Sequence, residues 1–135
     1  MRPWIIAEQF RLVAAGDPAF SALACLNFQS GQFTLPCVIF EARARSLDQF
    51  GKVDHFELTI VVESEAHDTS GATHDAAVEL VRSKFLDHRA TVEAAVNAAG
   101  VITISPHLGA VSADPALESN RFRTPLAIGG IATLV

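Results

Sequence analysis

The 135-residue sequence is poor in several residue types, and each shortage argues against a class of function. Its two cysteines, Cys25 and Cys37, are too few for a disulfide framework or a four-ligand zinc site, so two free thiols are expected. With no tyrosine and one tryptophan, it offers no aromatic platform on which nucleic-acid bases could stack. Ten Lys and Arg residues against fifteen Asp and Glu give a net charge of −5, which argues against a protein that grips nucleic-acid phosphates.

Long apolar runs are missing as well. Near the N-terminus, Glu8 and Gln9 cut the apolar run short, which argues against a signal peptide. Every uninterrupted apolar run is far shorter than the roughly 18–20 residues that span a bilayer. We therefore expect a soluble chain without membrane contact, made in a cytoplasm. Its length fits a single domain over residues 1–135, with a helical part at 1–30 and a sheet-and-helix core at 35–128.

What the sequence does contain is a change of hydrophobic period. Residues 1–30 are predicted to be helical, because apolar side chains recur every three or four positions. Gly16 ends the first helix, and Asp17 with Pro18 offers an N-cap and a first-turn proline for a second one. Phe20, Leu23 and Ala24 would line the inner face of that second helix.

Two strands joined by a long hairpin are predicted next. Residues 36–42 form a short β-rich stretch that suits a buried strand. From Val53 onward the alternation is clean: Phe56, Leu58, Ile60 and Val62 share one face, and His55, Glu57, Thr59 and Glu63 share the other. Residues 43–52 connect the two strands and are interpreted as an exposed hairpin tip with three basic residues.

A second helical block and two further strands complete the pattern. Asp68 and Thr69 are the candidate N-caps of a helix that runs to about residue 86 and carries His74 on its inner face. A further helix ends at Gly100 in the C′ position. The last strands cover residues 101–105 and 121–128, with a loop at 106–119 between them. Pro125 lies inside the final strand and predicts an edge strand or a bulge.

This order of elements predicts an α+β fold within the broad α/β class. The economical arrangement is a mostly antiparallel sheet of about four strands with helices packed on one face. A basic hairpin on an acidic chain, together with a poorly defended edge strand, further favours self-association.

Patterns for catalysis and metal binding are weak. Four of the five histidines adjoin an aspartate, and metal-dependent phosphohydrolases use such pairs. However, His74 lies on the apolar stripe of its helix and Asp75 points away from it, so the pair cannot converge on one ion. No Gly-x-Ser-x-Gly elbow or phosphate-binding glycine loop is present. We therefore expect no enzyme, no cofactor and no metal site.

Several segments, taken in order, resemble a known family. They are Leu-Pro-Cys-Val-Ile-Phe-Glu at 35–41, Phe-Glu-Leu-Thr-Ile-Val-Val-Glu-Ser at 56–64, Ala-His-Asp-Thr at 66–69 and Asn-Arg-Phe-Arg-Thr-Pro-Leu at 120–126. The chain is similar over about residues 35–128 to the tail terminator (tail completion) proteins of long-tailed bacteriophages and prophages. No single motif is specific, and the resemblance lies in the order of the elements.

The resemblance implies a virion structural protein without catalytic activity. Its copies would form a ring, a homo-hexamer in this family, at the head-proximal end of the tail tube. The ring would stop tube polymerisation and provide the docking surface for the head connector or stopper protein. DNA would be passing cargo only, and assembly would take place in the host bacterial cytoplasm. The alternatives are another neck ring, such as a head-completion protein, a generic interaction module, and a small oligomeric ligand-binding or metal-dependent hydrolytic domain.

Two sets of residues are candidates for contacts in such a ring. Arg43, Arg45, Phe50 and Lys52 form a candidate interface with an acidic patch on a neighbouring subunit or on the tail tube; a solvated loop with Phe50 folded back is the alternative. Glu57 and Glu63 are candidates for the lining of a neutral or acidic channel, because a basic wall would hold DNA phosphates. An ordinary solvated sheet face would explain these two glutamates equally well.

Overall fold

The computed structural model describes residues 2–27, 34–65, 70–106, 111–112, 116–118 and 121–135. The helices are α1 (Pro3–Ala15), α2 (Ser70–Arg82) and α3 (Arg89–Ala99), with a 3-10 turn at Pro18–Phe20 and a π-helical turn at Ser83–Asp87. The strands are β1 (Ala24–Asn27), β2 (Cys37–Ser46), β3 (Val53–Glu65), β4 (Ile102–Pro106), β5 (Val111–Ser112), β6 (Ala116–Glu118) and β7 (Arg121–Leu134). Among the described helices, none is both long and apolar enough to cross a membrane.

The strands form one sheet, and the predicted α+β fold is confirmed. Five strands follow the order β1-β2-β3-β7-β4, while the short β5 and β6 also pair with β7. β1 runs parallel to β2, and the other described pairs are antiparallel, so the sheet is mixed. The prediction of about four strands missed β1, which the periodicity assigned to a helix, and the short β5 and β6, which lie in the predicted loop at 106–119.

The second predicted helix is wrong beyond its first turn. Asp17 does act as an N-cap, since its carboxylate accepts a hydrogen bond from the backbone N–H of Ala19 at 2.9 Å. The helix nevertheless ends at Phe20, and Ala24–Asn27 form β1 in register with β2. Four residues are too few to show a period, and this pairing packs Ala24 against the apolar cluster on the outer side of β2.

The core lies between the three helices and one face of the sheet. It is centred on Phe85, whose ring centroid lies 5.6 to 6.4 Å from the ring centroids of Phe10, Phe20 and Phe40. The β3 residues predicted to face inward, Phe56, Leu58, Ile60 and Val62, are all at most 1% exposed. Most of the large apolar side chains are thus removed from water on the face that the helices cover, which is the arrangement predicted for the helices. A smaller cluster of Cys37, Ile39 and Val61 is buried on the opposite face.

Two predicted features of the helices are also confirmed. His74, Val81 and Phe85 are buried on one side of the second helical block. Gly100 ends α3 with a φ of 76°, a left-handed conformation that glycine adopts without a steric penalty. The described part of α2 begins at Ser70, and the candidate caps Asp68 and Thr69 lie outside the described residues.

The last strand is longer and more central than predicted. β7 extends to Leu134 instead of ending near residue 128, and it lies between β3 and β4. The edge position expected from Pro125 is therefore wrong. Pro125 pairs with Val61 of β3, whereas on its other side β5 and β6 pair with residues on either side of it. No described strand pairs with Pro125 on that second side, so a proline can be accommodated in a central strand.

Side chains from the helices protect both outer strands of the described sheet. The backbone N–H of Ile104 in β4 donates to the side-chain oxygen of Asn97 on α3 at 2.8 Å. The backbone oxygen of Cys25 in β1 accepts a hydrogen bond from Arg11 on α1 at 3.4 Å. Each contact occupies a main-chain group that a foreign strand would otherwise use. Each of these two strands therefore has one main-chain group occupied by a helix side chain.

Candidate assembly surface

Arg43 and Arg45 lie within β2, which corrects their predicted place in the hairpin tip. The strand continues to Ser46 because Ala42 and Ala44 pack against the core while the two arginines alternate with them on the opposite face. Across the sheet, Arg43 is in register with Glu57 and Arg45 with His55 of β3. These four side chains line a shallow depression of about 300 Å³ on the face that the helices leave open.

The turn between β2 and β3 is held by Asp48 and presents Phe50 to solvent. One carboxylate oxygen of Asp48 accepts hydrogen bonds from the backbone N–H groups of Lys52 and Val53, at 3.0 and 3.2 Å. Desolvation works against ionisation of Asp48, but these hydrogen bonds hold its pKa below the usual value. Phe50 is 75% exposed, so the alternative in which it folds back on the domain is wrong.

Further exposed apolar side chains lie at the same end of the sheet. The backbone N–H of Leu134 donates to the oxygen of Lys52, and that of Val135 donates to the oxygen of Val101, which brings the C-terminus beside the turn and the start of β4. Leu47, Phe50, Val101 and Val135 are each between 41% and 75% exposed. We call these four residues the hairpin end. Apolar side chains gathered on a surface in this way mark a contact site more often than isolated ones do.

The two glutamates predicted to line a channel have different surroundings. Glu57 is exposed and lies opposite Arg43 in the β-ladder. The side chain of Glu63 is only 14% exposed and forms ion pairs with Arg121 and Arg123, at 3.7 and 3.3 Å. The outward face therefore carries mixed charge, with arginine beside both glutamates.

His74 is buried between two hydroxyl groups. Its Nδ1 lies 3.0 Å from Oγ of Ser64, and its Nε2 lies 2.8 Å from Oγ1 of Thr124. Burial lowers the pKa of His74, and the negative charge of Asp75 opposes that shift only in part. All three bonded residues are at most 4% exposed, so a substrate cannot reach the hydroxyls in this arrangement. The imidazole instead fastens α2 to β3 and β7.

The remaining histidines are dispersed. His55 lies in the depression on the open face, whereas His88 bonds through Nδ1 to the backbone oxygen of Ser83 at 2.8 Å. His67 and His107 lie outside the described residues. Within the part of the chain that the structure describes, no three His, Cys, Asp or Glu residues are grouped as a metal site.

Both cysteines are free thiols, as expected, but their positions differ from the prediction for one of them. Cys37 is fully buried in β2, and this burial, with a smaller contribution from the charge of Glu63, raises its pKa to about 11. Cys25 was predicted on a helix and instead lies half-buried in β1. A thiol whose pKa is raised by burial holds its proton and is a poor nucleophile.

The structure thus divides the predicted interface into two neighbouring surfaces. Arg43 and Arg45 belong to the open face, while Phe50 and Lys52 belong to the turn. The other members of the hairpin end, Leu47, Val101 and Val135, were not predicted from the sequence. Their signal was an apolar residue placed directly after a strand or a helix-ending glycine, where solvent exposure is common.

Comparison with known proteins gives no family assignment. No protein-family model matches the chain, and no curated protein matches it significantly. Its function is therefore inferred from the sequence resemblance, the fold and the surfaces described above.

Proposed function

We propose that this chain is a bacteriophage tail terminator, a virion structural protein of the neck. Copies of the chain assemble into a ring on the head-proximal end of the tail tube. The ring stops tube polymerisation and then presents a surface to the head connector or stopper protein. Assembly takes place in the host bacterial cytoplasm. The resemblance over residues 35–128 suggests this function, and the α+β fold with helices on one face is compatible with it.

The observation that carries the proposal is the hairpin end. Phe50 is 75% exposed and lies at the same end of the sheet as three other exposed apolar side chains. An exposed apolar surface of this kind is more typical of an interaction site than of a protein that acts alone in water. A subunit that must contact further copies and the tail tube does need such a surface, because burial of apolar area drives most protein association. Arg43 and Arg45, on the adjoining open face, would add attraction for an acidic partner.

The open face also bears on the passage of DNA. Glu57 and Glu63 remain candidates for the channel lining, and DNA passes such a ring as cargo without being held. The mixed charges favour this role, because each glutamate has arginine close by in the β-ladder or in an ion pair. A wall of balanced charge neither retains nor strongly repels the phosphates of moving DNA.

Loss of the gene tests the proposal most simply. In a phage or inducible prophage that encodes this chain, a deletion should give overlong tail tubes and filled heads without tails, both visible by electron microscopy. The chain supplied from a plasmid should restore normal tails. Tails of normal length joined to heads in the deletion strain would contradict the proposal. Tails of normal length without heads would instead favour a head-completion ring.

A further inference from the structure

The shallow depression on the open face brings several charged and polar side chains around one opening. Arg43 and Arg45 lie two positions apart on β2, so their side chains leave the sheet on the same face, about 7 Å from each other. His55 and Glu57 of β3 complete the lining of this space of about 300 Å³. The depression therefore combines two guanidinium groups, an imidazole and a carboxylate.

The two arginines and the glutamate of this depression are not bonded within the subunit. Several other basic side chains pair with carboxylates, as Lys84 does with Asp17 at 2.7 Å. In contrast, the side chains of Arg43, Arg45 and Glu57 form no hydrogen bond or ion pair with any other residue that the structure describes, although Arg43 is in register with Glu57. All three residues are exposed, so their charges are available to a partner.

The two arginines suit carboxylate groups. A guanidinium group presents N–H donors in a planar fork that matches the two oxygens of a carboxylate. Two such groups at the spacing of alternate strand residues fit two acidic side chains with a similar spacing. Alternate residues of an extended peptide segment have this spacing, because their side chains also leave on the same face about 7 Å apart.

Glu57 distinguishes between two kinds of anionic partner. On its β7 side the residue in register is Gly129, which has no side chain that could cover it. A peptide segment offers a backbone N–H at every residue other than proline, and the carboxylate of Glu57 can accept it. DNA is bound mainly through phosphate oxygens, which are negatively charged acceptors and would be repelled by Glu57. The arrangement of charges therefore favours an acidic peptide segment over DNA.

We propose that this depression binds an acidic peptide segment of another protein of the virion neck or tail. Two carboxylates of the segment bind Arg43 and Arg45, and a backbone N–H beside them donates to Glu57. This inference rests on the proposed function, because the partners of a tail terminator would carry the segment. It goes further by naming the chemistry of the partner and by assigning Glu57 to the contact, which leaves Glu63 as the candidate for the channel lining.

Binding of a short peptide to the full-length chain tests the site. The probe carries two glutamates separated by one serine, with an acetylated and an amidated end so that the termini are uncharged. The control probe has glutamine in place of both glutamates. Titration at low salt is followed by NMR at the backbone amides of the chain. We expect shifts that saturate at Arg43, Arg45 and Glu57 with the acidic probe only. Equal shifts with both probes, or none with either, would overturn the proposal.

Substitution of the two arginines should remove the binding and leave the fold intact. Arg43→Gln with Arg45→Gln should weaken the affinity for the acidic probe at least about tenfold, because it removes charge-assisted hydrogen bonds. Arg89→Gln, an exposed change on α3, is the matched control and should bind the probe as the unmodified chain does. All three positions are exposed, so the melting temperatures should agree. Equal affinities of the double variant and the control would contradict the assignment.

Glu57→Ala separates recognition of a peptide from general attraction to anions. General attraction predicts that the loss of this negative charge tightens the binding of every anion. In the proposed contact the change also removes the acceptor for the backbone N–H. We therefore expect the affinity for the acidic probe to fall about threefold, while that for a short DNA duplex rises. Unchanged or tighter binding of the probe by Glu57→Ala would overturn the assignment of a peptide, as would tighter binding of DNA than of the probe by the unmodified chain.

The outcomes are separate from those of the gene deletion. Specific binding of the acidic probe by a chain whose deletion leaves normal tails joined to heads would support the site and contradict the tail terminator. Overlong tails in the deletion strain, together with no binding of the probe, would overturn the site and leave the tail terminator standing.

Discussion

The two faces of the sheet are built from the same strands and serve opposite purposes. In β3, Phe56, Leu58 and Ile60 face the helices and are at most 1% exposed, whereas the alternate residue Glu57 is exposed on the other face. On the helix side, neighbouring rings and aliphatic side chains exclude water. On the open side, and at the hairpin end, charges and apolar groups remain available for contact. Substitutions on the two sides should therefore affect different properties.

The largest effect is expected for a phenylalanine at the centre of the helix-covered core. Phe85→Ala removes a ring that packs against three others and should lower the free energy of unfolding by about 3–5 kcal/mol. The matched change on the other side is Phe50→Ala, which should alter it by no more than about 0.5 kcal/mol. Urea denaturation measures both. Similar losses from the two variants would break the distinction between the faces.

The buried histidine should give the next largest effect. His74→Ala leaves the hydroxyls of Ser64 and Thr124 without their imidazole partner, which should cost about 1–3 kcal/mol. Thermal or urea unfolding measures the loss. The exposed His88 provides the comparison, because His88→Ala affects a ring that lies at the surface. An equal loss from both variants would show that the buried contacts add nothing to stability.

The same histidine should make stability depend on pH. Because burial lowers the pKa of His74 below its ordinary value of 6.5, the folded state binds fewer protons than the unfolded state in that range. The stability is therefore complete above pH 6.5 and declines as the pH falls below it, until the folded-state pKa is reached. His74→Gln should remove this decline, as seen in the difference between the two pH profiles of unfolding. Parallel profiles would contradict the assignment.

Whether a helix or strand could be predicted from the sequence depended on its length. The thirteen-residue β3 repeats its alternation often enough to predict both of its faces, and α2 with its continuation repeats its stripe in the same way. The four residues of β1 have no such repeat, and only pairing with β2 makes them a strand. The edge position predicted from Pro125 was wrong for a related reason. A proline fits in the central strand β7 because β5 and β6 pair with residues on either side of it, and the sequence pattern of β7 does not show where they pair.

Part of the candidate surface was predictable because it depends on local sequence, and the rest was not because it depends on contacts between distant residues. The exposed turn with Phe50 followed from local sequence, because charged and turn-forming residues surround it. The charge balance around Glu63 did not, since its arginine partners are about sixty positions away and meet it only through the β3–β7 register.

A smaller effect is expected at the edge of the sheet, where the helix layer protects β4. Asn97→Ala removes the acceptor for the N–H of Ile104 and should cost about 0.5–1.5 kcal/mol. Hydrogen exchange at that amide should become faster. Thr91→Ala, an exposed change on the same helix, is the control and should leave this exchange rate unchanged. Unaltered exchange in Asn97→Ala would contradict the protective role of the side chain.

The smallest effect on stability is expected for the arginines of the open face. Reversal of both charges, Arg43→Glu with Arg45→Glu, should change the free energy of unfolding by no more than about 1 kcal/mol, because the side chains are exposed. The same variant should fail to join tails to heads when it is supplied to the deletion strain. Arg89→Glu, which reverses an exposed charge on α3, should still restore joining. Normal joining by the double variant would show that the open face makes no essential contact.

The central claim is that this chain acts by assembling with further copies through its hairpin end. Native mass spectrometry of the full-length chain over a range of concentrations, with Phe50→Ser measured beside it, tests this most directly. The account predicts a discrete closed oligomer for the unmodified chain, and its loss in Phe50→Ser at an unchanged free energy of unfolding. An oligomer that persists in Phe50→Ser, or a chain that stays monomeric at every concentration, would contradict it.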